Sequence, residues 1–130
     1  GVFSLGDPDF VRFYWARHRL LKENYYVPLA QFAAMGMREF QDAPDFQELQ
    51  RRYSQAWGLA HFFMHYEDGR YRDAFLAHLS ALYSTDPRRL VAVPSLPELT
   101  GHTADELDRQ YKEYLRDMDV SPQEAAAAAN

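Results

Sequence analysis

Apolar side chains recur along this chain at steps of three and four, the spacing that puts them on one face of a helix. Asp7-Pro8-Asp9 reads as a helix start: Asp as N-cap, Pro at the first helical position, a second acid in the first turn. Phe10, Phe13, Tyr14, Arg17, Leu20 and Leu21 follow with helical spacing. Asn24-Tyr25-Tyr26 breaks the pattern, and Pro28 opens a short second helix through Leu29, Phe32 and Ala33, with Gly36 near its end. Residues 37–44 read as a loop or irregular turn.

The longest element is expected over residues 45–66. Phe46, Leu49, Tyr53, Ala56, Trp57, Ala60 and Met64 share one face. Beyond Tyr53 the opposite face is apolar too, through Leu59 and Phe62, as in a central, buried helix. Asp68-Gly69 ends it, and after a few residues Tyr71, Phe75, Leu79, Leu82 and Tyr83 begin another helical stripe. So short a connection makes an antiparallel helical hairpin over residues 45–83. A loop-rich stretch with Pro87, Pro94 and Pro97 follows. Ser95-Leu96-Pro97-Glu98 and Thr103-Ala104-Asp105-Glu106 are capping boxes. The second opens a helix with Leu107, Tyr111, Tyr114, Leu115 and Met118 on one face. Ser121-Pro122-Gln123-Glu124 can start a last turn before an Ala-rich tail, residues 121–130. The fold expected is an all-α bundle of about four to six helices around the central buried hairpin, one domain over residues 1–120. Trp57, with small neighbours on its face, is expected in the core.

Composition narrows the chemistry. The chain has 130 residues, 47% of them hydrophobic and 15% aromatic, so it can build a sizeable core despite its length. A net charge of −5 argues against nucleic acid as a partner, because phosphate binding needs a positive field. With no cysteine there is no disulfide framework, Cys-ligated metal or Cys nucleophile. The longest apolar stretch, residues 56–64, falls far short of the roughly 20 residues that span a membrane, so no membrane partner is expected. The first residues lack the basic-then-apolar order of a signal peptide, and Gly1 in place of Met suggests a piece of a longer chain.

Few residues carry a distinct chemical claim. His61 and His65 have the i, i+4 spacing of a helical zinc pair, but Phe62 stands where a metalloprotease carries its general base. They read as helix-flank histidines satisfied by neighbours or water. His18, His78 and His102 read as surface or helix-edge residues. Asp105, Glu106 and Asp108, like Asp42, Asp45 and Glu48, suit the first turn of a helix, where acids favour the dipole. There is no G-x-S-x-G, G-x-G-x-x-G or P-loop. On spacing alone Tyr53 reads as a core tyrosine.

Tyr53-Ser54-Gln55-Ala56-Trp57-Gly58-Leu59-Ala60-His61-Phe62 resembles the "Y-x-Q-A-W-x-L-x-H-F" segment of the bacterial domain of unknown function 1570 family. Gly69-Arg70-Tyr71-Arg72-Asp73-Ala74-Phe75-Leu76-Ala77-His78-Leu79 resembles that family's "G-x-Y-R-x-A-F-x-x-Y-L" helix. Leu96-Pro97-Glu98-Leu99-Thr100-Gly101, with Leu107-Asp108-Arg109-Gln110-Tyr111 and Tyr114-Leu115, resembles its closing pattern. The family is similar to gluzincin zinc metallopeptidases. In those enzymes an HExxH helix and a downstream Glu hold zinc, and a helical lobe supplies a Tyr that stabilises the oxyanion. The resemblance implies that Tyr53 is that Tyr, the one candidate catalytic residue. It implies a C-terminal helical lobe that walls the substrate cleft and is inert alone. This chain has no HExxH and no Glu-bearing ligand helix, and so no metal ligands or cofactor of its own. Zinc is expected in an upstream catalytic lobe of the same protein, which would be the lobe's partner, with a peptide as substrate.

Two rivals stand beside this expectation. One is a non-catalytic helical protein-interaction module using exposed aromatic residues. The other is a metal-binding bundle built on His61 and His65, which needs a third ligand. On the first expectation the chain alone does not hold zinc tightly. Tyr53 should then have a packed ring and a hydroxyl on the wall of an open groove, near the start of the central helix.

Overall fold

A computed structural model describes residues 8–35, 37–82 and 94–118. The protein is an all-α bundle, and among the described residues there is no strand. The helices are α1 (Pro8–Leu21), α2 (Leu29–Ala34), α3 (Met37–Gln41), α4 (Phe46–His65), α5 (Arg72–Leu82), α6 (Leu96–Thr100) and α7 (Ala104–Asp117). None is long and apolar enough to cross a membrane. The helix expected for residues 28–33 is α2. The stretch read as loop after it contains α3, a helix of five residues with only Glu39 in its first turn and no strong start signal. The Asp7 cap, Tyr83, Pro87 and the Ala-rich tail lie outside the described residues.

Local chemistry sets the ends. Asp45 accepts the Glu48 N–H at 2.8 Å and starts α4. Ser95 caps α6 and Thr103 caps α7 through the N–H groups of Glu98 and Glu106. After α4 a 3₁₀ turn, Tyr66–Asp68, carries Glu67 and Asp68 at positive φ, and with Gly69 behind it, also at positive φ, reverses the chain. The Arg72 guanidinium donates to the Met64 carbonyl at 2.9 Å, satisfying an orphan acceptor at the end of α4.

The core is built on α4, with α1 and α7 against it and α2 and α6 closing its edges. Phe13, Ala16 and Leu20 come from α1, and Leu107, Tyr111 and Leu115 from α7. Leu59, Phe62 and Phe63 come from α4. The stripe expected to face inward, from Phe46 through Trp57 to Met64, is the less buried side of α4. Phe46 and Tyr53 are exposed, and Trp57 is only partly covered, so the expectation of a core Trp57 is corrected. The reason is Gly58. A Cβ there would sit 2.4 Å from the Tyr111 hydroxyl and 2.9 Å from Ala16 Cβ. The face carrying Gly58 lets α1 and α7 come this close, and close approach favours burial of that stripe. The hairpin partner is also less central than expected: α5 is covered mainly at Ala81, while Leu76 and Leu82 are exposed.

Buried polar groups fix the connections. Gln55 donates to the Val27 carbonyl at 2.7 Å and accepts the Val27 N–H at 2.9 Å, tying the α1–α2 loop to α4. Asp108, read from the sequence as a dipole acid, also accepts the Leu29 N–H at 2.9 Å and the Tyr26 hydroxyl, holding the start of α2 on α7. Burial and this carboxylate push the Tyr26 phenol far above its ordinary value. The buried Tyr71 hydroxyl donates to Gln110 at 2.7 Å. Each pairing meets a donor or acceptor that would be costly to bury alone.

Candidate functional site

Tyr53 lies in the first half of α4 and is 51% exposed. Its ring is held edge-on by Phe40 of α3, with centroids 4.9 Å apart, and Phe40 in turn meets Phe32 of α2 at 5.8 Å. Arg52, next to Tyr53, donates to the carbonyls of Glu39 at 2.8 Å and Phe40 at 3.0 Å. These bonds satisfy orphan acceptors late in α3 and fix that short helix beside the tyrosine. No described residue hydrogen-bonds the Tyr53 hydroxyl. Phe46, one heptad earlier on the same face, is 72% exposed. The first half of α4 therefore presents an aromatic surface with a phenol at one end. An open polar depression lined by Arg38, Gln41 and Asp42 lies at the far end of α3 and includes none of the candidate residues.

The histidine pair behaves differently from a metal site. His61 is 6% exposed, in an aromatic box with the ring centroids of Phe13 at 5.0 Å, Trp57 at 5.3 Å and Tyr114 at 5.8 Å. The Tyr114 hydroxyl lies 2.8 Å from its Nδ1. Burial, and to a lesser degree His65, lowers the His61 pKa to about 4, so the ring is neutral at pH 7. His65 is exposed, its ring centroid 4.5 Å from that of His61. Among the described residues no three His, Asp or Glu side chains gather where a metal could be held.

The remaining histidines serve the fold. His18 lies 3.5 Å from Glu23, which Arg19 and Arg51 also hold at 2.6 and 2.9 Å. His78 Nδ1 lies 2.9 Å from the Pro94 carbonyl. His102 bridges Glu106 at 2.8 Å and Arg70 at 3.2 Å. The structure does not bring Tyr53 together with His61 or His65: the tyrosine belongs to the exposed half of α4 and the imidazole pair to the half packed on α1 and α7. Sequence reading missed Phe40, Arg52 and α3. The available signal was the apolar pair Met37 and Phe40 at a three-residue step.

No family model, curated protein or solved structure matches this chain.

Proposed function

We propose that this chain is the helical lobe of a larger zinc-metallopeptidase-like protein, with the first half of α4 as a wall of the substrate cleft and Tyr53 as oxyanion donor. The observation that carries the reading is the exposure of Tyr53. A tyrosine kept for structure turns its hydroxyl to an internal partner, as Tyr71 and Tyr26 do here. Tyr53 instead has its ring steadied by Phe40 and half its surface open. That suits a donor aimed at charge developing outside the lobe. The resemblance around residues 53–62 supplies the chemistry, acyl transfer from a peptide. On this reading zinc and the water it activates belong to the partner lobe, and this chain's residues position and donate. The lobe alone is inert.

The experiment is Tyr53→Phe in the full-length protein. Loss of one oxyanion donor lowers kcat by about 10²-fold or more, with zinc content and unfolding midpoint unchanged. Turnover that ignores the substitution contradicts the assignment.

A second reading has its own support. Phe46 is more exposed than Tyr53 and shares its face, as in a non-catalytic interaction module that seats an aromatic anchor in a partner. The Tyr53→Phe variant separates the two, since a contact surface keeps its packing when only a hydroxyl is lost.

A further inference from the structure

Arg52 and Tyr53 are successive residues of α4 and both reach α3. Arg52 Nη1 donates to the carbonyls of Glu39 at 2.8 Å and Phe40 at 3.0 Å. Tyr53 meets the Phe40 ring, the two planes 82° apart. Little else holds α3 together. Its five residues are far below the length at which a helix stands alone in water, roughly 12–15 residues. So short an element also exposes the unpaired carbonyls of its last turn. The Asp42 N–H covers the Arg38 carbonyl at 2.9 Å, and Arg52 covers the next two. Among the described side chains of α3, Arg38, Glu39 and Gln41 are exposed and Phe40 is partly buried, between Phe32 of α2 and Tyr53.

The two contacts depend on each other. Without the Arg52 bonds the last turn of α3 has two unpaired carbonyls, and the helix that carries Phe40 loosens. Without Phe40 the half-exposed Tyr53 ring loses the edge that fixes it, and exposed side chains change rotamer within ps–ns. An oxyanion donor acts only when it is held within about 0.5 Å of its productive place. A phenol free to change rotamer does not meet that condition.

We propose that Arg52 and Phe40 are positioning residues for Tyr53: Arg52 fastens α3 to α4, and α3 holds Phe40 against the Tyr53 ring so that the phenol keeps one direction. The catalytic meaning of this clamp rests on the reading of Tyr53 as oxyanion donor, whereas the clamp itself rests on the contacts among Arg52, α3 and Tyr53. The clamp is tested by NMR on the full 130-residue chain. Wild type is expected to show contacts between the Phe40 and Tyr53 rings, and β-proton couplings of a single Tyr53 χ1 rotamer. Arg52→Met keeps an apolar stem and removes the donor. It is expected to weaken the ring contacts, average the couplings and speed exchange of the Asp42 amide at least about 10-fold. The amides of residues 58–63 should keep their protection. Both wild-type bonds come from one nitrogen, so Arg52→Lys should recover part of each signal. If Arg52→Met does not fold, Phe40→Leu takes its place and should average the Tyr53 couplings with Arg52 untouched. A single Tyr53 rotamer that persists in these variants overturns the proposal.

The consequence for turnover is read separately, in the full-length protein. Arg52→Met is expected to lower kcat about 10-fold or more with KM and zinc content unchanged. Once Tyr53→Phe has been made, the same change should lower kcat no further, because both act through one hydroxyl. An equal fall of kcat in the Tyr53→Phe background shows that Arg52 acts by another route and overturns the positioning role. Turnover that ignores Tyr53→Phe alone overturns the oxyanion reading instead, and the ring contacts and couplings of the 130-residue chain still decide the clamp.

Discussion

In the second half of α4, Leu59, Phe62 and Phe63 are at most 6% exposed, whereas in the first half Phe46 and Tyr53 are 72% and 51% exposed. Both halves carry large apolar side chains on one continuous helix, so hydrophobicity does not separate them. What differs is the company each half can keep. Gly58 has no side chain, and Tyr111 and Ala16 occupy the space where a Cβ would stand. Two long helices therefore close on the second half. The first half receives α3, five residues long, and a loop pinned by Gln55. One half of the helix holds the fold and the other leaves an aromatic face exposed.

The contrast has unequal energetic consequences. Phe62→Ala removes a fully buried ring at the meeting point of α4, α7 and Tyr71. It is expected to cost about 3–5 kcal/mol in urea unfolding. Gly58→Ala is expected to destabilise by about 1–3 kcal/mol through overpacking, although alanine is favoured over glycine in a helix by about 1 kcal/mol. Adding Tyr111→Phe, which removes the hydroxyl nearest the new methyl, should recover part of that loss, a non-additivity expected of touching residues. A stabilised Gly58→Ala protein would show that close approach is not what chose the buried face. At the small end, Phe46→Ser should change the unfolding free energy by no more than about 0.5 kcal/mol. A larger loss would make Phe46 part of the packing that holds the fold rather than an exposed side chain outside it.

How much of this could be read from the residues differs between the two halves. The caps at Asp45, Ser95 and Thr103 are local signals, and each does what its residue type implies. The face of α7 is also legible, because Leu107, Tyr111 and Leu115 have a strongly polar opposite side. The face of α4 is not. Period and side-chain size favour the stripe through Trp57, and a single glycine on the other side outweighs them by admitting neighbours distant in sequence. Gln55 and Asp108 are equally opaque, since their partners at Val27 and Leu29 are backbone groups 28 and 79 residues away. Tyr53 is the reverse case. Its position at the start of the central helix is plain, but spacing alone assigns it to the core, and only the placement of Gly58 on the buried side leaves it outside.

The division of α4 is tested most directly by site-resolved amide hydrogen exchange along this one helix. The amides of residues 58–63 should exchange only with global unfolding, and their opening free energy should match that from urea. Those of residues 50–53 should open locally, at least about 100-fold more often, because few buried contacts hold them. Equal protection along the whole of α4 would contradict a helix split between a packed half and an exposed one.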